Sequence, residues 1–572
     1  MRFDFRTPHA IVHAPDWRDV DHLLYRWTRA IGGSHELARC VARLSLAESQ
    51  GHTALRLDGD DVAACRASAL VGDGRATTPF VLDADDRFYF WRGHAAEVAV
   101  AEALATRATA KTTACDGDDA AIAALFDDDV RNAAQRQAVQ AALTRRLVVL
   151  TGGPGTGKTT TVLRMLLALQ QRAAAPLAIH LAAPTGKAAQ RLQQAIVQGQ
   201  VALAPRLDAS WRPALDAMSA LTASTLHRLL EFDPRHGRWR RNSEQPLASD
   251  VVVIDEASML DLDQMRALMA ALPAHTRLIL VGDADQLASI AAGAVLTDAV
   301  RALAESRSAS LVRLEHVFRA TPELGAAHAA IRQGDAGALR AAYRAGVVEQ
   351  HPLPDAPTLR HRLSHWADML AEVLRRCDVG VAHDAFRAAK TLQAIRQRQL
   401  LCALRESAFG VVAVNAVLQS ALAREFGAGQ RDWFPGRIVM ITRNDDAHGL
   451  FNGDVGIALP DEEGRLKVWF EGDVLVPARA FVPGLLPAHD TAYAITIHKS
   501  QGSEYEHVAV LLPPSPESPI LSRQLLYTAA SRGKQSLSLW ANDDVIDAAL
   551  ARPLARSGGL QSKLRDALRK TS

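Results

Sequence analysis

The sequence predicts an α/β protein of two α/β lobes. The first lobe has a phosphate-binding loop, a helical region precedes it, and a small β-barrel interrupts the second. Three observations lead there. Gly152-Gly153-Pro154-Gly155-Thr156-Gly157-Lys158-Thr159 follows the pattern G-x-x-x-x-G-K-[ST], between the apolar run Leu147–Leu150 and the helix-forming stretch Thr160–Gln170. Downstream, the buried-strand run Val251–Ile254 ends in the carboxylate pair Asp255-Glu256. A second alternation of short apolar runs and helical stretches starts near His383 and is broken by strand-and-turn composition over 436–487.

The chain has 572 residues, enough for roughly three to five domains. Hydrophobic content of 48% and charged content of 22% describe a globular protein with large cores. A net charge of +2 excludes a polybasic tail as the main nucleic-acid contact, although a local groove can still be basic. Met1-Arg2-Phe3-Asp4 opens without the apolar core of a signal peptide, and no run of 18 apolar residues occurs. A cytoplasmic protein with no membrane contact is therefore expected. The five cysteines (Cys40, Cys65, Cys115, Cys377, Cys402) are scattered and read as buried thiols in a reducing compartment.

In chain order, Val20–Ile31 and Leu37–Ala47 have the spacing of amphipathic helices, and Phe88–Trp91 reads as an aromatic strand. Small polar residues over 107–120 suit a linker. A helix over Asp128–Thr144 leads into the P-loop strand. Its Gln135 either reads an adenine edge, because an amide both donates and accepts, or belongs to a solvated helix face. In the loop itself, Gly152, Gly153, Pro154, Gly155, Thr156 and Gly157 let the backbone N–H groups approach phosphate oxygens. The helix that starts at Lys158 adds a positive dipole end. Lys158 then reaches the β- and γ-phosphates, Thr159 offers a hydroxyl to Mg²⁺, and Thr160 completes the first helical turn.

After the strand Leu177–Ala183, Pro184, Thr185 and Lys187 open a helix whose N-terminus suits a nucleic-acid phosphate. Thr225 and His227 sit in a second polar cap, although His227 alone reads more often as structural. Residues 231–250 read as a β-hairpin with Trp239 among arginines, either a wedge against a duplex or a surface loop. At the next strand end, Asp255 can hold the metal shell and Glu256 can deprotonate the attacking water. Gln286, after the strand Arg277–Val281, can sense the γ-phosphate. Arg319, after Leu311–Phe318, can neutralise transition-state charge. Pro322–Asp378 is helical in composition. Gln399–Ala403 is strand-like and Asn415–Phe426 helical. Arg437–Thr442, Asp454–Ala458, Leu466–Phe470 and Asp473–Val476 are the strands of the insertion. His498 and Lys499 cluster at a strand end where they could grip a phosphodiester backbone, and Arg532 could supply a second γ-phosphate arginine. No second P-loop occurs, so the second lobe is expected to close over the nucleotide of the first.

These blocks, in this order, resemble superfamily 1 helicases. The P-loop, Leu401-Cys402-Ala403-Leu404-Arg405 and Gly449-Leu450-Phe451-Asn452-Gly453-Asp454 resemble the RecD family more narrowly. The resemblance covers about residues 130 to 550. It implies RecA-like lobes at 121–320 and at 383–435 with 488–572, a helical connector at 321–382, an SH3-like barrel at 436–487 and a partner-docking N-terminal region at 1–110. It assigns nucleotide contacts to Gln135, Gly502 and Glu504 and nucleic-acid contacts to Pro184, Thr185, Lys187, Thr225, His227, His498 and Lys499. It implies ATP- and Mg²⁺-dependent 5′→3′ movement on single-stranded DNA, entered at double-strand ends beside RecB-like and RecC-like subunits, with the nuclease in RecB. Ala529-Ala530-Ser531-Arg532-Gly533 departs from the family pattern around its arginine, which is itself kept. Two other readings stand: a free-standing RecD-like helicase, whose helix-hairpin-helix repeats are not found in residues 1–130, and a P-loop ATPase that does not translocate.

Overall fold

The structure is a computed structural model and describes residues 16–571 except 113–114, 128, 319–320, 354, 430, 446 and 473–475. The first region is mixed rather than helical. Helices Asp19–Ala30 and His35–Ser49 pack beside a four-stranded sheet made of Leu55–Arg56, Val71–Gly72, Phe80–Leu82 and Arg87–Phe90. These strands are too short for a period-2 pattern to show in sequence. Alternation still sorts their side chains. Phe80 and Phe88 bury against Leu37 and Leu44, while Tyr89 turns to the opposite face.

Helix Trp91–Thr109 leaves that region and enters the core of the first lobe. Its apolar stripe Val100, Leu104 and Ala108 packs with Leu268 and Leu303, and with Leu560, Leu564 and Leu568 of the helix Leu560–Thr571. A Leu or Val buried this way contributes about 1.5–3 kcal/mol. The helix Leu560–Thr571 therefore returns to the first lobe rather than staying with the second.

The first lobe is a six-stranded parallel sheet in the order Leu311–Leu314, Leu147–Gly152, Arg277–Gly282, Val251–Ile254, Ile179–Ala183, Ala223–Thr225. Val251, Val252, Val253 and Ile254 are wholly buried, as strands covered on both faces must be. Parallel strands end on one edge, so Gly152, Asp255 and Asp283 come together at the carboxyl edge of the sheet. The second lobe is a five-stranded parallel sheet ordered Val348–His351, Gly533–Trp540, Tyr505–Leu511, Arg398–Cys402, Ala494–Thr496. The connector thus contributes an edge strand. Val348-Glu349-Gln350-His351 has a single apolar residue, which hides it from a hydrophobicity reading.

The insertion is an antiparallel sheet ordered Ala478–Phe481, Leu466–Glu471, Val455–Pro460, Ile438–Ile441, His489–Thr491, around Val439, Ile441, Ala458, Val468 and Phe470. Of the expected strand Asp473–Val476, residues 473–475 lie outside the described residues. The hairpin is short, Phe232–Asp233 against Arg238–Trp239. The cysteines correct the expectation of five buried thiols: Cys40, Cys65 and Cys402 are buried, Cys377 is half-buried and Cys115 is exposed. Among the described residues no helix is long and apolar enough to cross a membrane.

Candidate active site

The P-loop strand ends at Gly152, the chain turns through residues 153–157, and helix Lys158–Arg172 begins. Gly155 and Gly157 take φ of 75° and 82°, backbone that a side chain would strain. The turn is closed by Thr156 Oγ1 donating to Gly153 O at 2.8 Å. Lys158 Nζ donates to Gly152 O at 2.7 Å and to Gly153 O at 3.0 Å, so the ammonium already lies across the mouth of the loop. Gln135 is buried beneath it: its Oε1 accepts from Arg164 at 2.7 Å and its Nε2 lies 3.5 Å from Thr156 O. This corrects the solvated-face reading of Gln135. In this conformation its amide braces the P-loop.

Asp255 and Glu256 stand opposite. Burial, and then the Glu256 charge, push the Asp255 carboxyl above the usual carboxylate range. A divalent cation would offset both causes. Glu256 takes φ of 51°, unusual for a residue with a side chain, and such strain is concentrated at functional positions. Asp283 is also buried and raised. Its Oδ2 accepts from Gln286 Nε2 at 3.0 Å and from Tyr527 Oη at 3.1 Å.

The second lobe completes the cleft. Arg532, 2% exposed, donates through Nε to Thr528 O at 3.0 Å and through Nη1 to Ser503 O at 3.2 Å, and its Nη2 binds Gln286 Oε1. The γ-phosphate candidates Gln286 and Arg532 are therefore joined across the two lobes. A cavity of about 230 Å³ is lined by P-loop residues 154, 155 and 157–160, by Asp255, Glu256 and Gln286, and by Gly502, Glu504 and Arg532. The residues present fit a nucleotide with a divalent cation. Glycine N–H groups and Lys158 are the donors that anionic oxygens require, and a hydroxyl (Thr159) with a carboxylate (Asp255) is the hard-oxygen donor set of Mg²⁺-type ions. Arg319 lies outside the described residues.

Three residues of the cleft escaped the sequence reading. Arg191, on helix Gly186–Leu203, is held below the usual arginine range by burial and donates to Gly502 O. Tyr527 ties Asp283 to the second lobe, and a Cβ on Gly153 would stand 2.9 Å from its hydroxyl. Thr528 Oγ1 accepts from Leu287 N at 2.8 Å. Tyr527 and Thr528 lie one turn before Arg532, which was the available signal. Nothing local marked Arg191.

The nucleic-acid candidates are not gathered on one surface. Thr225 and His227 line a groove of about 1390 Å³ between the first lobe and the inserted sheet, and His227 packs against Phe232 and Trp239 with ring centroids 5.3 and 5.1 Å away. Trp239 packs inward on Phe232 rather than projecting as a wedge. Pro184 precedes Thr185, whose hydroxyl caps its own helix at Ala188 N. A Cβ on Gly186 would meet Phe451 of the inserted sheet at 2.9 Å. Lys187 Nζ donates to Gly453 O at 3.3 Å, and Lys499 Nζ to Asp490 at 3.2 Å. His498 is held below the usual histidine range by burial and then by the Arg556 charge.

A family profile described as an AAA domain matches residues 135–292, and one described as a UvrD-like helicase C-terminal domain matches residues 491–540. The RecBCD enzyme subunit RecD of Mycolicibacterium smegmatis is 40% identical over 440 residues, covering 76% of this chain and 75% of that protein. The same subunit of Mycobacterium tuberculosis (strain CDC 1551 / Oshkosh) is 36% identical over 543 residues, covering 92% and 88%. The ATP-dependent RecD2 DNA helicase of Deinococcus radiodurans is 32% identical over 401 residues, covering 68% of this chain and 46% of that one.

Proposed function

Since the chain belongs to the RecD family of RecBCD enzyme subunits, we propose that it is the ATP-driven DNA helicase subunit of such an enzyme. It moves 5′→3′ on single-stranded DNA and opens double-strand ends for recombinational repair and degradation of linear DNA. Its partners are RecB-like and RecC-like subunits in a cytoplasmic heterotrimer. The observation that supports this reading is the Gln286–Arg532 contact, which joins a side chain of each lobe in the lining of the P-loop cleft. A binding switch would not need both this arginine and a DNA-gripping block on a second lobe.

Lys158 and the loop N–H groups hold the β- and γ-phosphates. Thr159 and Asp255 would hold Mg²⁺, which would supply positive charge to the phosphates. Glu256 takes the proton of the attacking water as its oxygen bonds the γ-phosphorus and the bond to the β-phosphate oxygen breaks, giving ADP and phosphate. Arg532, with Arg319, balances the charge that spreads over the γ-oxygens. Gln135 accompanies the base side of the nucleotide, and Gly502 and Glu504 close over it from the second lobe. Loss of phosphate releases the Gln286–Arg532 contact, and the lobes part. DNA lies along the groove lined by Thr225 and His227, with the contacts of Pro184, Thr185, Lys187, His498 and Lys499 made once the inserted sheet, read as an SH3-like barrel, shifts from Gly186. The first 110 residues dock the partners.

The test is the native mass and composition of the endogenous complex, with its ATP turnover. Co-elution with two large subunits and at least tenfold stimulation by single-stranded DNA are expected. A lone chain that unwinds 5′-tailed duplexes would make it a free-standing helicase like the Deinococcus relative. Turnover indifferent to DNA would leave only a non-translocating ATPase.

A further inference from the structure

The loop that follows Gln286 is attached at both ends, to different bodies. At its near end Leu287 N donates to Thr528 Oγ1 at 2.8 Å and Leu287 O accepts from Gln501 Nε2 at 3.1 Å, both in the second lobe. At its far end Arg556 Nη1 donates to Ala291 O at 2.7 Å and Gly293 O at 2.8 Å, and Nη2 binds Ser289 O. Arg556 belongs to the strap that leads back to the first lobe. The strap is tied in turn to the N-terminal region. Thr53 N and Ala54 N donate to Ser557 O at 2.9 and 3.2 Å, Ser557 N donates to His52 Nδ1 at 2.8 Å, and Gly293 N donates to Gly51 O at 3.0 Å.

The fit around the guanidinium is close. Gly51 has φ of +89°, and a Cβ there would stand 2.6 Å from Arg556 Cζ. Carbonyls converging on one side chain suit the planar fork of arginine, whose donors are fixed in direction, better than the single ammonium of lysine. Ile290, 79% exposed, stands between the Ser289 and Ala291 carbonyls that Arg556 holds, so only Ala288 separates the two attachments. Leu287–Gly293 is too short to absorb a lobe displacement in slack, so relative movement of its anchors must displace its middle or pull on its far end.

We propose that Arg556 is a positioning residue of the motor: it anchors the far end of the loop after Gln286 to the N-terminal region, so that lobe movement driven at the nucleotide is transmitted there. This rests on the helicase reading above. Arg556 touches neither nucleotide nor reacting atoms. Its loss should uncouple hydrolysis from movement rather than stop hydrolysis.

The experiment uses the intact complex with its co-purified subunits, carrying Arg556→Ala, Arg556→Lys or Gly51→Ala. ATP turnover is measured without DNA and with saturating single-stranded DNA, together with base pairs unwound per ATP consumed. Turnover without DNA should stay within twofold of the unsubstituted complex in all three. Base pairs unwound per ATP should fall at least fivefold in Arg556→Ala and Gly51→Ala, and Arg556→Lys should recover at least half of the loss. If Arg556→Ala does not fold, Gly51→Ala, which leaves the arginine in place, decides. An unchanged ratio, or turnover without DNA falling in parallel with unwinding, overturns the proposal in favour of a merely structural role. Failure of the helicase reading would appear instead in the unsubstituted complex, as turnover indifferent to DNA.

Discussion

The two lobes each contain a strand, a turn and a helix in the same arrangement, yet only one of them is built for phosphate. In the first, Gly155 and Gly157 turn the chain and the helix opens on Lys158. In the second, strand Arg398–Cys402 passes through residues 403–410 into helix Val411–Glu425. There Val411 N donates to Leu404 O at 3.0 Å and Val412 N to Arg405 O at 3.1 Å. The first N–H groups of that helix are consumed by its own turn, and its first turn shows an exposed Val412 to solvent. A helix N-terminus attracts an anion only where the preceding turn leaves its donors open. Shared topology therefore does not carry shared chemistry. The second lobe contributes to the site from elsewhere, through Glu504 and Arg532.

The largest expected effect tests whether only the first turn binds phosphate. Lys158→Ala should lower ATP turnover by about 10³-fold or more, with an unchanged melting midpoint. Equilibrium dialysis should find a single nucleotide per unsubstituted chain. A second bound nucleotide would break the contrast between the lobes. Next is the contribution that crosses from the second lobe. Arg532→Ala should reduce kcat by about 10²-fold while KM for ATP moves less than about threefold, the signature of an interaction made in the transition state. Gln286→Ala should cost about tenfold, and the double variant less than the product, because the two side chains share a hydrogen bond.

How much of this was legible in the sequence follows from where each residue sits. Asp255 and Gln286 follow apolar strands, Lys158 opens the helix after one, and Arg532 follows a helix, so their positions relative to a sheet edge could be read from pattern alone. Arg191 lies inside a helix of glutamines and alanines and reaches Gly502 only because the lobes meet, which is a long-range fact that no local period records. Tyr527 lies two residues before the Ala529–Gly533 block, but its link to Asp283 spans the interface. Of the sheet between Leu55 and Phe90 only the aromatic strand at Phe88–Trp91 was read, because its shorter partners cannot display alternation. Lys187 was identified as a phosphate contact from its place in a helix start, whereas its ammonium meets the Gly453 carbonyl.

That lysine supplies the smallest effect. Burial, and then the Arg396 and Arg191 charges, lower it to about 7. Its value in the unfolded chain is higher, so below pH 7 the cost of burying the cation is felt in full. As pH rises from there towards 10, the folded chain sheds a proton that the unfolded chain keeps, and stability increases. Lys187→Met should therefore stabilise the protein by about 1 kcal/mol at pH 6 and by progressively less towards pH 9, read as a shift in urea midpoint. A gain independent of pH would mean that the ammonium is solvated and turned towards the groove.

The helix Leu560–Thr571 covers Val100 and Leu104 of helix Trp91–Thr109. On the ribosome these partners emerge about 450 residues apart, which at about 5–20 residues per second is roughly 20 to 90 seconds. Throughout that interval the nascent first lobe displays an uncovered apolar stripe, a ready substrate for a holding chaperone. The motor lobe that is translated first is consequently completed late: emergence of helix Leu560–Thr571, rather than synthesis of the P-loop, sets when its core is first covered.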